Sequence, residues 1–271
     1  MQLDKTYIAI RERDFMEIMD LALHVVKRFA APLSLALLAG IVPLALASHF
    51  WAFDTAPMEE NFAWGWNYTL WILFLAALGA PLAGAPATLL LGQALFMEQP
   101  SARRIARDFV TALPQLFLFQ IVVRGLLIVL FFTSFIPFVL RPYLGEIVLL
   151  ERNPLRKGKE NRITTTKRCH ALHGGSGGEL FGRWLSSLLV GGLLILVIML
   201  ALWACTQWAT GTADLERVTY ALYLQIAVWS VVGYFTVVRF LSYLDLRIRR
   251  EGWEVELKMR AEATRLQGEL V

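Results

Sequence analysis

The chain has 271 residues, of which 57% are hydrophobic and 18% charged. Its mean hydropathy is +0.54. Soluble domains lie nearer about 45–50% apolar and about 25% charged. The composition therefore excludes a disordered chain, an ordinary nucleic-acid-binding domain and a disulfide-rich secreted module, and points to a membrane protein. Cys169 and Cys205 are too few for a disulfide framework. The formal net charge of +4 acquires its meaning from where the basic residues fall.

Residues 1–28 form a polar to amphipathic segment without the short apolar core and small-residue cleavage site of a secretory signal. Within it Phe15, Ile18, Met19, Ala22, Val25, Val26 and Phe29 recur at helical spacing, with Glu17, Asp20, His24 and Lys27 opposite. A helix lying in the cytoplasmic interface is predicted. The first apolar run, 29–50, spans about 30 Å as a helix, enough to cross a bilayer. The second, 68–96, is interrupted by Pro81 and Pro86, which membrane helices tolerate when neighbours satisfy the freed carbonyls. Ser101 to Leu113 reads as another interfacial helix, with Ser101 at the N-cap. The next apolar stretch, 114–150, would be roughly 55 Å long as one helix. Ser134, Pro137 and Pro142 divide it, giving two short crossings at 114–133 and 136–151; a single kinked helix or a re-entrant hairpin is the alternative. A third interfacial segment ends in Glu179, Leu180, Phe181 and Trp184. The last two runs are 184–209 and 218–244. The tail, 247–271, is a charged helix with i,i+4 pairs Glu254–Lys258 and Glu256–Arg260. Its narrow stripe of Trp253, Leu257 and Ala261 docks on the bundle or offers itself to a protein partner.

The loop Trp51 to Asn67 lacks Lys and Arg and is rich in Trp and Phe, the signature of an outer interface. The N-terminal segment, the loops after the second and fourth runs, and the tail together hold 22 of the 26 basic residues. The positive-inside rule places all of these in the cytoplasm. The expected fold is all-α: a polytopic membrane domain over 29–246 with six transmembrane helices in three hairpins, cytoplasmic interfacial helices, and both termini inside. Four spans plus a re-entrant hairpin satisfy the charge pattern equally well. The expected location is the bacterial cytoplasmic membrane. The basic run Arg152 to Arg168 suits anionic lipids rather than nucleic acid, since it has no interleaved aromatics for base stacking.

Three charged residues fall at membrane depth: Arg124, Arg141 and Glu146. Charge near the bilayer centre costs at least ~2.5–3.5 kcal/mol on insertion scales, so such residues face the bundle or water. They form either a cationic pocket for a lipid phosphate or anionic substrate, or an internal ion pair between short helices. Arg239 and Asp245, near the end of the last span, read as snorkelling residues or a local pair. Gln93, Gln115, Gln120 and Gln225 suit cross-helix hydrogen bonds. His49 falls at an aromatic-belt position. Cys169, His170 and His173 are a weak metal-ligand set, with no acidic residue or second ligand pair close in sequence. The glycine run 174–178 lacks the phosphate-loop pattern and reads as a hinge or the start of a helix. No cofactor motif, hydrolase elbow or dinucleotide fingerprint is present.

The stretch RPYLGEIVLLERNPL (Arg141 to Leu155), the later GELFGRW, and YLDLRIRREGWEVE (Tyr243 to Glu256) resemble a group of bacterial polytopic membrane proteins. These are similar to the membrane domain attached to some glycerophosphodiester phosphodiesterases. The resemblance implies six spans with interfacial helices between pairs and no catalytic residues in the matching segments. The first functional expectation is a non-enzymatic scaffold or accessory subunit. The second is a transporter or lipid-handling protein using Arg124, Arg141 and Glu146.

Overall fold

The computed structural model describes residues 13–55, 61–96, 100–123, 142–151, 153–154, 163–174, 177–211 and 216–251. Among these there is no strand. The helices are α1 (Phe15–Arg28), α2 (Ala30–Thr55), α3 (Asn61–Ala83), α4 (Ala85–Phe96), α5 (Ala102–Leu116), α6 (Leu144–Glu151), α7 (Thr165–His173), α8 (Gly177–Thr210) and α9 (Arg217–Glu251). A π-helical stretch, Phe117–Val123, continues α5.

Four helical spans are long and apolar enough to cross a membrane: Ala30–Asp54, Trp64–Ala94, Gly177–Thr210 and Arg217–Arg250. They coincide with four of the six expected runs. The second combines α3 and α4. Their junction at Gly84 keeps its backbone bonds, Gly84 N–H to Ala80 O and Thr88 N–H to Gly84 O, both 2.9 Å. The chain thus passes Pro81 and Pro86 without leaving the helical path. Of the remaining expected crossings, 114–133 is described only to Val123, as the end of α5 and the π-helical stretch. The other, 136–151, is described from Pro142, where only the eight-residue α6 is present. Arg124 and Arg141 lie outside the described residues, as does the tail beyond Glu251.

The four spans divide into an inner and an outer pair. Within the most apolar part of each, 61% of α3/α4 and 67% of α9 is buried, against 11% of α2 and 6% of α8. The outward faces of α2 and α8 are apolar, with Leu35, Leu38, Leu46, Leu189, Leu193 and Leu196 exposed. α2 runs antiparallel to α3: Phe53 meets Trp64, His49 meets Tyr68, and Gly40 lies against Ala83. The contact at Gly40 is so close that an added Cβ would lie 2.0 Å from the Ala83 carbonyl oxygen. α8 runs antiparallel to α9 and packs chiefly on it, with Gly191 against Val231 and Phe235.

α1 buries Ile18, Ala22 and Val25 against α9 and the start of α2, and Tyr234 donates to the Met19 carbonyl (3.0 Å). Its opposite face, with Asp20 and His24, is exposed. α5 is similarly two-sided. Ile105, Phe109, Ala112 and Leu116 pack on α4 and α6, while Arg103, Arg104 and Arg107 point outward. Ser101 occupies the N-cap position but makes no side-chain cap bond. Its N–H donates instead to Gln93 Oε1 (3.1 Å), tying α5 back to α4.

Candidate functional site

Polar groups collect at two levels of the bundle. Toward one end, α2, α3 and α9 share an uncharged network. His49 Nδ1 lies 2.8 Å from the Tyr68 hydroxyl. Gln225 Nε2 donates to that hydroxyl (3.3 Å) and to Ser48 Oγ (3.5 Å), and Trp229 Nε1 donates to Gln225 Oε1 (2.7 Å). Trp64 stacks on Tyr68 with centroids 5.0 Å apart, and Arg217 lies over the Trp64 ring. Trp64 is therefore a core residue, whereas Trp51 and Trp66 stay exposed at this aromatic end. Gln225 makes the cross-helix bonds its residue type suggested, and His49 joins them rather than standing apart in a belt.

The other, basic end is organised by ion pairs. Arg183, only 8% exposed, donates through Nη2 to Asp245 Oδ2 (2.8 Å) and Glu179 Oε1 (2.7 Å). Arg249 reaches the same two carboxylates (2.6 Å to Glu179, 3.0 Å to Asp245). The Arg13 backbone N–H donates to Asp245 Oδ1 (3.0 Å). Nearly two turns back along α9, Arg239 donates to Glu146 Oε2 (3.1 Å) and to the Pro142 carbonyl (2.7 Å). Burial makes isolated charges costly, and here each is answered by an opposite charge and by backbone groups. Arg239 and Asp245 thus each reach another helix, Arg239 to Glu146 on α6 and Asp245 to Arg183 on α8, while Asp245 also keeps a local i,i+4 pair with Arg249.

Beyond the four spans, Glu151 at the end of α6 accepts both Nε (2.6 Å) and Nη2 (3.0 Å) of Arg168 on α7, and the Tyr243 hydroxyl (2.8 Å). Burial opposes ionisation of this carboxyl, yet the hydrogen bonds from Arg168 and Tyr243 and the charge of Arg168 outweigh it. They hold its pKa below the ordinary carboxylate value. Arg250 donates to the Gly174 carbonyl, fastening the end of α7 to α9.

Between these layers lies a cavity of about 550 Å³. Ala77, Ala80, Pro81 and Gly84 form one wall; Leu188, Gly191, Gly192 and Ile195 of α8 form another. Val231, Val232 and Phe235 of α9 close the back. The space exists because small residues meet where bulkier ones would fill it; a Cβ on Gly192 would touch nothing within 4 Å. At the basic end the lining turns polar, with Tyr143, Glu146, Arg183, Arg239 and Ser242. Arg183 Nη1 and Ser242 Oγ are both buried and have no hydrogen-bond partner among the described residues. The Tyr143 hydroxyl oxygen is the neutral acceptor beside both, and no carboxylate or carbonyl among the described residues reaches either donor atom. A buried donor without an acceptor is destabilising by about 1–3 kcal/mol, so two of them facing a cavity mark a place where an acceptor belongs.

The weak metal set is split by the helix that carries it. Cys169 Sγ and His173 Nδ1 are 3.4 Å apart on the buried face of α7, and His173 Nδ1 also lies 2.7 Å from the Cys169 carbonyl. His173 stacks on Tyr143, while His170 is exposed. Among the described residues, no group of three or more His, Cys, Asp or Glu side chains could hold a metal ion. Gly177 and Gly178 begin α8, the helix-start role expected of the glycine run. Arg183, read from sequence as one basic residue of a loop, belongs inside the site. The signal that could have found it is its i,i+4 spacing from Glu179, matched by Asp245 and Arg249.

No protein-family model matches the chain, and neither does any curated protein or solved structure.

Proposed function

We propose that the protein is a lipid-handling membrane protein that holds an anionic amphiphile in the cavity between α3, α6, α8 and α9. The observation that carries this is the pairing of a long apolar chamber with two buried donors, Arg183 Nη1 and Ser242 Oγ, that no described carboxylate or carbonyl answers at its basic end. An apolar cavity with a few convergent polar groups is the usual form of a small-molecule site. A guanidinium is well suited to carboxylate or phosphate oxygens. The basic residues of α5 and the ends of α8 and α9 support an orientation in which this end faces the cytoplasm and the headgroup is drawn from the cytoplasmic leaflet of a bacterial inner membrane. The cationic site expected of Arg124 and Arg141 is in this reading supplied by Arg183 and Arg239. The apolar faces of α2 and α8 meet lipid and call for no protein partner.

The test is native mass spectrometry of the full chain released from mild detergent, with the organic extract analysed alongside. A retained amphiphile, absent from Gly192→Leu, is expected, because the new side chain grows into the chamber. Protein that carries no amphiphile and takes up none on titration overturns the proposal.

A further inference from the structure

Resting on that reading, we infer that the ligand has one long acyl chain and a head made of oxygen acceptors: a fatty-acid carboxylate or the phosphate of a lysophospholipid. Three observations converge on this class.

The first is depth. Leu180 and Ile195 mark the two ends of the chamber along α8, a separation of about 22 Å at the helical rise. This is about three quarters of the ~30 Å hydrocarbon core. The chamber is thus deep enough to take an acyl chain along its length, with its polar mouth as the place for the headgroup. The second is volume. About 550 Å³ gives room for one extended chain along this depth.

The third is the chemistry of the mouth. Glu146 is taken up by Arg239 at 3.1 Å, and Asp245 by Arg183 and Arg249. What remains are the hydrogens of Arg183 Nη1 and the Ser242 hydroxyl, which meet the neutral Tyr143 hydroxyl oxygen and no described charged acceptor. An ionised carboxylate or phosphate brings acceptors only and answers these donors with charge-assisted bonds. An amine or sugar head would bring donors of its own to a place where the carboxylates are already paired.

The experiment titrates the delipidated full-length protein in a defined detergent with palmitate, palmitoyl lysophosphatidic acid, dipalmitoyl phosphatidic acid and hexadecanol, following each by native mass spectrometry. Palmitate or the lysolipid is expected to bind at least about tenfold more tightly than the diacyl lipid and than the alcohol. Whichever of the two binds tighter identifies carboxylate or phosphate as the natural head, and either ranking supports the inference. Ser242→Ala is expected to weaken that probe by about tenfold with little change in thermal stability, since it removes one small hydroxyl. Gly192→Leu is expected to abolish binding of every probe. Equal binding of dipalmitoyl phosphatidic acid overturns the single-chain inference while leaving the lipid-handling proposal standing. Equal binding of hexadecanol, or an unchanged affinity in Ser242→Ala, overturns the assignment of the head. Failure of all four probes overturns the underlying proposal itself.

Discussion

The two ends of α9 solve the same problem in opposite ways. At the aromatic end, Gln225 and Trp229 meet Tyr68, His49 and Ser48 in a network of neutral groups, most of whose members both give and take hydrogen bonds. At the basic end, Ser242, Asp245 and Arg249 belong to a charged layer in which two guanidiniums and two carboxylates are interlocked. The aromatic-end network ties helices together, and the buried donor it leaves over, Trp64 Nε1, does not line the chamber. The charged layer ties helices together and leaves donors facing a chamber. Neutral amides and phenols have balanced donor and acceptor capacity, whereas a guanidinium has five N–H donors and no acceptor. A surplus of donors is therefore what a buried arginine brings, and it becomes a binding feature when the neighbouring space is empty.

The sharpest way to break the contrast is Asp245→Ala. It removes the carboxylate shared by Arg183, Arg249 and the Arg13 backbone N–H, leaving a buried charge short of its partner. A loss of about 3–5 kcal/mol is expected, read as a large drop in thermal unfolding temperature in detergent. Next is Gly40→Ala. A Cβ there would press on the Ala83 backbone, which cannot rotate away as a side chain can. Overpacking of this kind costs about 1–3 kcal/mol, and cross-links between cysteines placed on α2 and α3 should weaken in step.

Gln225→Leu tests the neutral end. Hydrogen bonds between membrane helices average only about 0.6 kcal/mol in double-mutant cycles, so its unfolding temperature should fall far less than that of Asp245→Ala. An equal fall would erase the distinction between the two ends. The smallest effect is expected from acid. The Glu151 carboxyl is held below its ordinary value, so the stability it contributes is present above the unfolded carboxylate pKa of about 4.3. That contribution is lost as pH falls through the folded value. Glu151→Gln should flatten this part of the stability profile, followed by tryptophan fluorescence between neutral pH and pH 3.

Much of the architecture is legible in the sequence, because hydropathy reports what each segment tolerates as its solvent. Four of the five apolar runs become the four spans, and the two-sided pattern of Phe15 to Phe29 becomes α1. What the sequence did not reveal is which charge meets which. Arg183 and Asp245 are 62 positions apart and Arg239 and Glu146 are 93. Nothing in local spacing selects those partners over Arg124 or Arg141, whose placement lies outside the described residues. The cavity was equally invisible, since Ala77, Ala80, Gly191 and Gly192 look like ordinary small residues of membrane helices until their walls are brought face to face.

The central position of α9 also has a consequence for biosynthesis. The helix that contacts α1, α2, α3, α4 and α8 is the last of the described spans to be made. At about 5–20 residues per second, the ribosome needs roughly 8–30 s to travel from the end of α4 to the end of α9. During that interval α2 and α3 lack their α9 partner, and the His49–Tyr68 bond between them is one they can form alone. The hub then arrives carrying Gln225 for that waiting pair and Asp245 for a waiting Arg183. A nascent chain stalled before Arg217 should therefore hold α2 and α3 together in cross-linking, yet leave α1 unprotected from protease.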